Sequence, residues 1–231
     1  MKTLPHTLKK LGLLGVAGLI ASGAASGAFA ADVKPGDPVA AKSKIAMCIG
    51  CHGIIGYQAS FPEVHKVPMI SGQNAKYIAA ALTAYRKGER KHPTMKGIAS
   101  SLSDQDIADI SVFYEASGKD LPAKAGSTAA PSAEVAALLK KGNCASCHGE
   151  NLNKPIDATY PKLAGQHPDY VYVALKAYQT ADNPHVGRGN PIMGAQAKLF
   201  TLPELKLLAA YVGGLPGDLK TVPQPKFHQQ H

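Results

Sequence analysis

One string, Cys-x-x-Cys-His-Gly, occurs twice in this chain and uses all four of its cysteines. The copies are Cys48-Ile49-Gly50-Cys51-His52-Gly53 and Cys144-Ala145-Ser146-Cys147-His148-Gly149. Cys-x-x-Cys-His is the attachment signal of c-type haem. The two thiols add to the porphyrin vinyl groups as thioethers, and the adjacent imidazole is thereby held beneath the iron, which nitrogen ligands suit. A zinc ribbon would set its cysteine pairs roughly 15–20 residues apart, whereas 92 residues separate Cys51 from Cys144. A thioredoxin-like redox motif needs a βαβ setting, and the sequence offers no convincing strand. Two disulfides would suit an oxidising compartment but leave a histidine at the same offset twice unexplained. The motifs therefore predict two haem c groups, attached through Cys48, Cys51, Cys144 and Cys147, with His52 and His148 as iron ligands.

The motifs lie 96 residues apart, and the sequence around them repeats. Val67-Pro68-Met69-Ile70-Ser71-Gly72-Gln73 returns as Tyr160-Pro161-Lys162-Leu163-Ala164-Gly165-Gln166. Tyr77, Ile78, Ala81, Leu82 and Tyr85 match Tyr170, Val171, Ala174, Leu175 and Tyr178, spaced as one face of a helix. Closing helices follow, with Ile107, Ile110 and Phe113 against Leu205, Leu208 and Tyr211. Ser103 and Thr201 are their N-caps, each followed three residues later by an acid, Asp106 or Glu204. Asp37-Pro38 predicts an opening helix over Val39 to Met47, and Ser132 one over Ala133 to Lys141. Between the units, a Gly-, Pro-, Ala- and Ser-rich stretch reads as an extended connector. The expected organisation is all-helical: a first unit over residues 31–118, a connector over 119–132, a second unit over 133–219 and a flexible tail over 220–231.

A haem with an open face can react, whereas a second protein ligand closes it and leaves electron transfer. Met47 adjoins Cys48 too closely to reach the opposite face, and Met69 aligns with Lys162. Met95 and Met193 align with one another in the frame Arg-x-x-Pro-x-Met, 43 and 45 residues beyond His52 and His148. A lone methionine would read as a gap-filler in the core. Two in one frame, both expected in loops, read as sixth ligands, and their soft sulfur raises the reduction potential.

Residues 1–30 have the layout of an export signal: Lys2, Lys9 and Lys10, an apolar core, and Ala28-Phe29-Ala30 as cleavage site. An uncleaved anchor is the alternative. The formal charge of +9 is spread over both units, with no basic helix interleaved with aromatics, so nucleic acid is a poor partner. Arg86, Lys87, Arg90, Lys91 and Lys96 cluster around Met95, either to steer an acidic partner or as a solvated helix end. Arg90 and Arg188, which repeat while their neighbours do not, are also candidates to pair with haem propionates. His65, His92, His167 and His185 read as surface residues.

With both motifs, the doubled Pro-x-apolar-x-Gly-Gln turn and the run Leu102-Ser103-Asp104-Gln105-Asp106-Ile107, the chain resembles the dihaem cytochrome c4 family over residues 36–218. The resemblance implies two tandem class I cytochrome c-like domains, each wrapped around one covalently attached haem, in a periplasmic and often membrane-associated electron carrier. It implies redox partner proteins on both sides, a donor reductase or dehydrogenase and an acceptor oxidase, and no chemistry of its own. It also implies that the Pro68 and Pro161 carbonyls accept a hydrogen bond from the ligand histidines. The segment from Ile54 to His65 departs from the family's usual loop. A cytochrome subunit of a periplasmic dehydrogenase, or a dihaem peroxidase with one vacant face, would be the competing functions.

Overall fold

The computed structural model describes residues 33–223; the expected export signal over residues 1–30 and the tail beyond residue 223 lie outside the described residues. Nine α-helices run through them: α1 (Ala46–His52), α2 (Ala75–Lys87), α3 (Pro93–Ser100), α4 (Asp104–Ala116), α5 (Ala133–Lys141), α6 (Ala145–His148), α7 (Pro168–Gln179), α8 (Pro191–Ala197) and α9 (Leu202–Gly214). Four strands of two residues each, β1 (Gln58–Ala59), β2 (His65–Lys66), β3 (Arg90–Lys91) and β4 (Gly187–Arg188), form two antiparallel ladders. The fold is all-α, with one arrangement of helices built twice.

The repeated periodicity is the repeated core. In the first half α2 packs on α3 and α4, burying Ile78, Leu82, Leu102, Ile107, Ile110 and Tyr114 together with Ile45 and Ile49. In the second half α7 packs on α8 and α9. Val171, Ala209 and Val212 form one buried cluster and Leu138, Phe200, Leu205 and Leu208 another, with Leu139, Tyr172 and Leu175 packed against both. The closing helices begin as their sequences require. Ser103 Oγ accepts from the Asp106 N–H while the Asp106 carboxylate accepts from the Ser103 N–H, and Thr201 and Glu204 do the same.

Two expectations need correcting. The opening helix over Val39 to Met47 is a 3-10 turn at Ala40–Ser43 followed by α1 starting at Ala46. Asp37 Oδ1 accepts from the Val39 N–H two residues on, and its own N–H is held by Asp109 of α4, so the chain turns where a helix was expected to start. The second correction is His65, which is buried at 5% exposure, bonded through Nδ1 to Glu63 O and stacked on Tyr170 of α7. The connector lies against the second half: Lys124 bridges to Gly217, the Ser127 N–H bonds Gly214 O, and Lys124 Nζ reaches Gly165 O at 2.6 Å.

The β1–β2 hairpin that carries His65 belongs to the segment that departs from the family pattern, and it straps the first half onto α7. Lys176 Nζ meets Glu63 at 2.8 Å, and the Lys66 N–H donates to Asp169 Oδ2 at 3.0 Å. The β3–β4 ladder also joins the halves, with Arg90 opposite Arg188.

Leu205 is fully buried where α9 meets α5. Leu205→Ala should lower the unfolding free energy by about 2–5 kcal/mol, read from denaturant melts; a loss under about 1 kcal/mol would show that the second core does not depend on this contact.

Candidate haem sites

Each attachment motif is delivered by a helix that ends on its histidine. Cys48, Cys51 and His52 lie on α1; Cys144 is the N-cap of α6, which carries Cys147 and His148. The four cysteines form no disulfide with one another. Cys48 packs against the first core and Cys144 against the second, and burial pushes the Cys48 thiol up to about 11. Half-buried thiols against apolar side chains suit thioether formation with a hydrophobic ring better than they suit a metal cage. Among the described residues no three His, Cys, Asp or Glu side chains converge as one.

The histidines are held alike. His52 Nδ1 lies 2.8 Å from the Pro68 carbonyl, and His148 Nδ1 lies 3.0 Å from that of Pro161. A carbonyl only accepts, so Nδ1 carries the proton and Nε2 keeps its lone pair outward. Desolvation lowers both imidazole pKa values, and these carbonyl bonds only partly offset it. The neutral tautomer with Nε2 available is the one that binds iron.

Met95 and Met193 were expected in loops; they stand instead in the first turns of α3 and α8, each two residues after an N1 proline. The proline's missing N–H and preset φ allow the helix to begin there. His92 Nδ1 accepts from the Met95 N–H at 3.4 Å, and Asn190 Oδ1 from the Met193 N–H at 2.9 Å. Both caps fix the backbone from which the thioether projects. Met95 packs against the first core, as does Cys48; Met193 is half-buried on α8, which rests on α7.

The predicted basic cluster is divided by the fold. Arg86 turns to Asp104 and Leu102 O, and Lys91 donates to Asn183 O across the halves. Arg90 is withdrawn into a group of tyrosines, leaving Lys87 and Lys96 exposed. Arg90 donates to Tyr77 Oη at 3.3 Å and to Tyr170 Oη at 2.8 Å, and Arg188 donates to the same Tyr170 oxygen at 3.2 Å. Arg90 also lies over the Tyr85 ring, and Arg188 over Tyr170 and Tyr178. Burial alone would raise the Tyr170 phenol, but the two guanidiniums prevail and bring it down to about 8. The four tyrosines read from sequence as one apolar helix face; their repeat in step with Arg90 and Arg188 was the signal that they line a shared charged compartment.

That compartment is a test of whether haem fits. Two guanidiniums share one phenol, neither forms a salt bridge among the described residues, and buried Arg90 Nε has no hydrogen-bond partner. A buried cation without an anion costs several kcal/mol. Haem propionates would bring the missing negative charge to that spot, so the residues present fit the group.

The chain is similar to several known proteins. A family model described as Cytochrome c matches residues 132–216. Cytochrome c-554(548) of Halomonas halodenitrificans is 42% identical over 82 residues, covering 34% of this chain and 94% of its own length. Cytochrome c4 of Azotobacter vinelandii is 27% identical over 195 residues, covering 78% of this chain and 90% of its own. The crystal structure of reduced recombinant cytochrome c4 from Pseudomonas stutzeri superposes with a TM-score of 0.55 at 26% identity, over 78% of this chain and 99% of that one. The chain belongs to the cytochrome c4 family. It is an electron carrier built from two tandem class I cytochrome c domains.

Arg90→Met should lower the stability of the haem-loaded protein by about 3 kcal/mol, because the haem propionates it would face lose their partner. Arg188→Met added to it should cost less than the sum of the two single changes, since both guanidiniums act on Tyr170; strict additivity in a double-mutant cycle would show two independent sites.

Proposed function

We propose that this chain is an exported cytochrome with two haem c groups, a one-electron relay in a respiratory chain with no catalysis of its own. The reading rests on one observation, made twice: a histidine ending a Cys-x-x-Cys-His helix donates Nδ1–H to a proline carbonyl, while a methionine projects from a capped, proline-started helix in the same half. The proposed assignments are Cys48, Cys51, His52 and Met95 for the first haem and Cys144, Cys147, His148 and Met193 for the second, with a signal peptide over residues 1–30 and domains at 31–118 and 133–219.

Bound haem supplies a one-electron iron couple at each site. The chain's own part would be to hold each imidazole neutral and oriented, to offer a thioether as a second ligand, and to keep water from both sites. The Met95 and Met193 backbones are tied by their caps, so ligation asks little further ordering in either oxidation state. The Arg90–Arg188–Tyr170 group would supply the positive charge that haem propionates need between the halves. A site closed on both faces stores an electron and has no position at which peroxide could bind, which disfavours a peroxidase.

Support for export comes from the residue pattern of 1–30; among the described residues no helix is long and apolar enough to cross a membrane. Partners are other redox proteins, a donor reductase or dehydrogenase and an acceptor oxidase or reductase. Exposed Lys87 and Lys96 near Met95, with Ile55 at 76% and Val64 at 66% exposure on the strap segment, suit an acidic protein surface with an apolar centre. A dehydrogenase subunit would use the same haem sites and is told apart by whether a catalytic chain co-purifies.

Met95→Ala and Met193→Ala should each open one haem to carbon monoxide while both haems stay covalently attached, read from difference spectra and haem content. Unchanged spectra in either variant would remove that methionine from the ligand set.

A further inference from the structure

The two Gly-Gln turns clasp each other. Gln166 of the second half is 4% exposed, and its side-chain amide takes both backbone groups of Met69 in the first: the Met69 N–H donates to Oε1 at 3.0 Å, and Nε2 donates to Met69 O at 2.9 Å. Gln73, equally buried, does the same to Lys162, accepting its N–H at 2.9 Å and donating to its carbonyl at 3.0 Å. Gln73 and Gln166 occupy the same place in the repeat, as do Met69 and Lys162. The four bonds are thus two copies of one interaction, related by exchange of the halves.

What each amide grips is the residue after the histidine's acceptor. Pro68 O takes the His52 proton and Pro161 O takes that of His148; Met69 and Lys162 come next in the chain. Each glutamine is itself anchored. Oε1 of Gln73 also accepts from the Asn74 N–H, and Oε1 of Gln166 from the His167 N–H, at the starts of α2 and α7. The preceding glycines, Gly72 and Gly165, have φ of +83° and +75°. Their N–H groups bond Tyr114 O of α4 and Val212 O of α9. Each clasp therefore runs from two helices of one half to the carbonyl that orients the histidine of the other.

We propose that Gln166 and Gln73 are positioning residues acting crosswise: Gln166 sets the Pro68–His52 bond of the first haem, and Gln73 the Pro161–His148 bond of the second. The inference deepens the dihaem reading and rests on it. A buried amide with three polar contacts made leaves a carbonyl little room to move. Fixing that carbonyl fixes both the ring orientation of the ligand and its basicity. Docking of one half is thereby felt at the ligand of the other, with no change in either haem's own pocket.

The test uses the haem-loaded full chain with Gln166→Leu and Gln73→Leu, which keep bulk and remove the bonds. Gln166→Leu should speed exchange of the His52 Nδ1–H at least tenfold, by assigned proton resonances of the reduced protein, and leave His148 within about twofold. It should also raise the first haem's reduction constant about three- to tenfold, as a less basic ligand favours ferric iron less; that is about 30–60 mV at 59 mV per tenfold for one electron. Gln73→Leu should give the mirror pattern. Glu63→Gln, which weakens the strap's ion pair to Lys176 without touching either turn, should leave both histidines as they are. Should Gln166→Leu not accumulate, Gln166→Glu, which keeps the acceptor for the Met69 N–H and loses the donor, serves in its place with a smaller crossed effect. Equal effects on both haems, an effect on the glutamine's own half, the same effect from Glu63→Gln, or no effect would each overturn the crosswise assignment. A wild-type preparation with fewer than two attached haems would instead overturn the dihaem reading, and haem content measured first separates the two.

Discussion

Each half of this protein is arranged about one hydrogen bond, from an imidazole Nδ1–H to a proline carbonyl. Its geometry requires a helix that ends on the histidine and, 16 residues later in the first half but 13 in the second, a loop that brings the carbonyl under the ring. The intervening chain differs in length and content, yet the two bonds agree to 0.2 Å. The loop must therefore be held by something other than its own sequence. In both halves that is a left-handed glycine bonded to the closing helix, followed by a glutamine engaged across the interface. The partner half is part of the machinery that orients the ligand.

The fold was largely legible in the sequence because its strongest signals are local and doubled. A capping box spans four residues and a helical face nine, so Ser103, Thr201 and the apolar positions of α2, α4, α7 and α9 could be read directly. Met95 and Met193 were picked out by their frame but misplaced in loops. A proline and a polar residue before it read as loop-formers, and only the bonds from His92 and Asn190 to the methionine N–H groups show that a helix begins there. His65 was misread for the opposite reason. Its segment has no counterpart in the other half, so no repeat flagged it, and its burial comes from stacking on Tyr170, which is remote in sequence.

Met69 shows where a residue-by-residue comparison of the halves stops. It was set aside as a ligand because Lys162 stands in its place, and the structure gives the reason these two can differ: the clasps read the backbone N–H and C=O of this position, which every residue except proline supplies. The sequence-independent contact sits at the variable residue, and the invariant requirement falls on the glutamines that reach it. A comparison of side chains alone finds the second and misses the first.

The same logic accounts for the charges between the halves. Two guanidiniums placed opposite each other in the β3–β4 ladder repel, and withdrawing them from water adds desolvation to that repulsion. Tyrosine oxygens offset part of this, and Tyr170 is drawn toward ionisation because both cations converge on it. An apolar filling of the same space would be cheaper for folding alone. Haem propionates entering from the two halves would offset that cost, and a shared cationic seam would keep their charges from pushing the halves apart. Attachment of haem and docking of the halves would then be thermodynamically coupled, each strengthening the other.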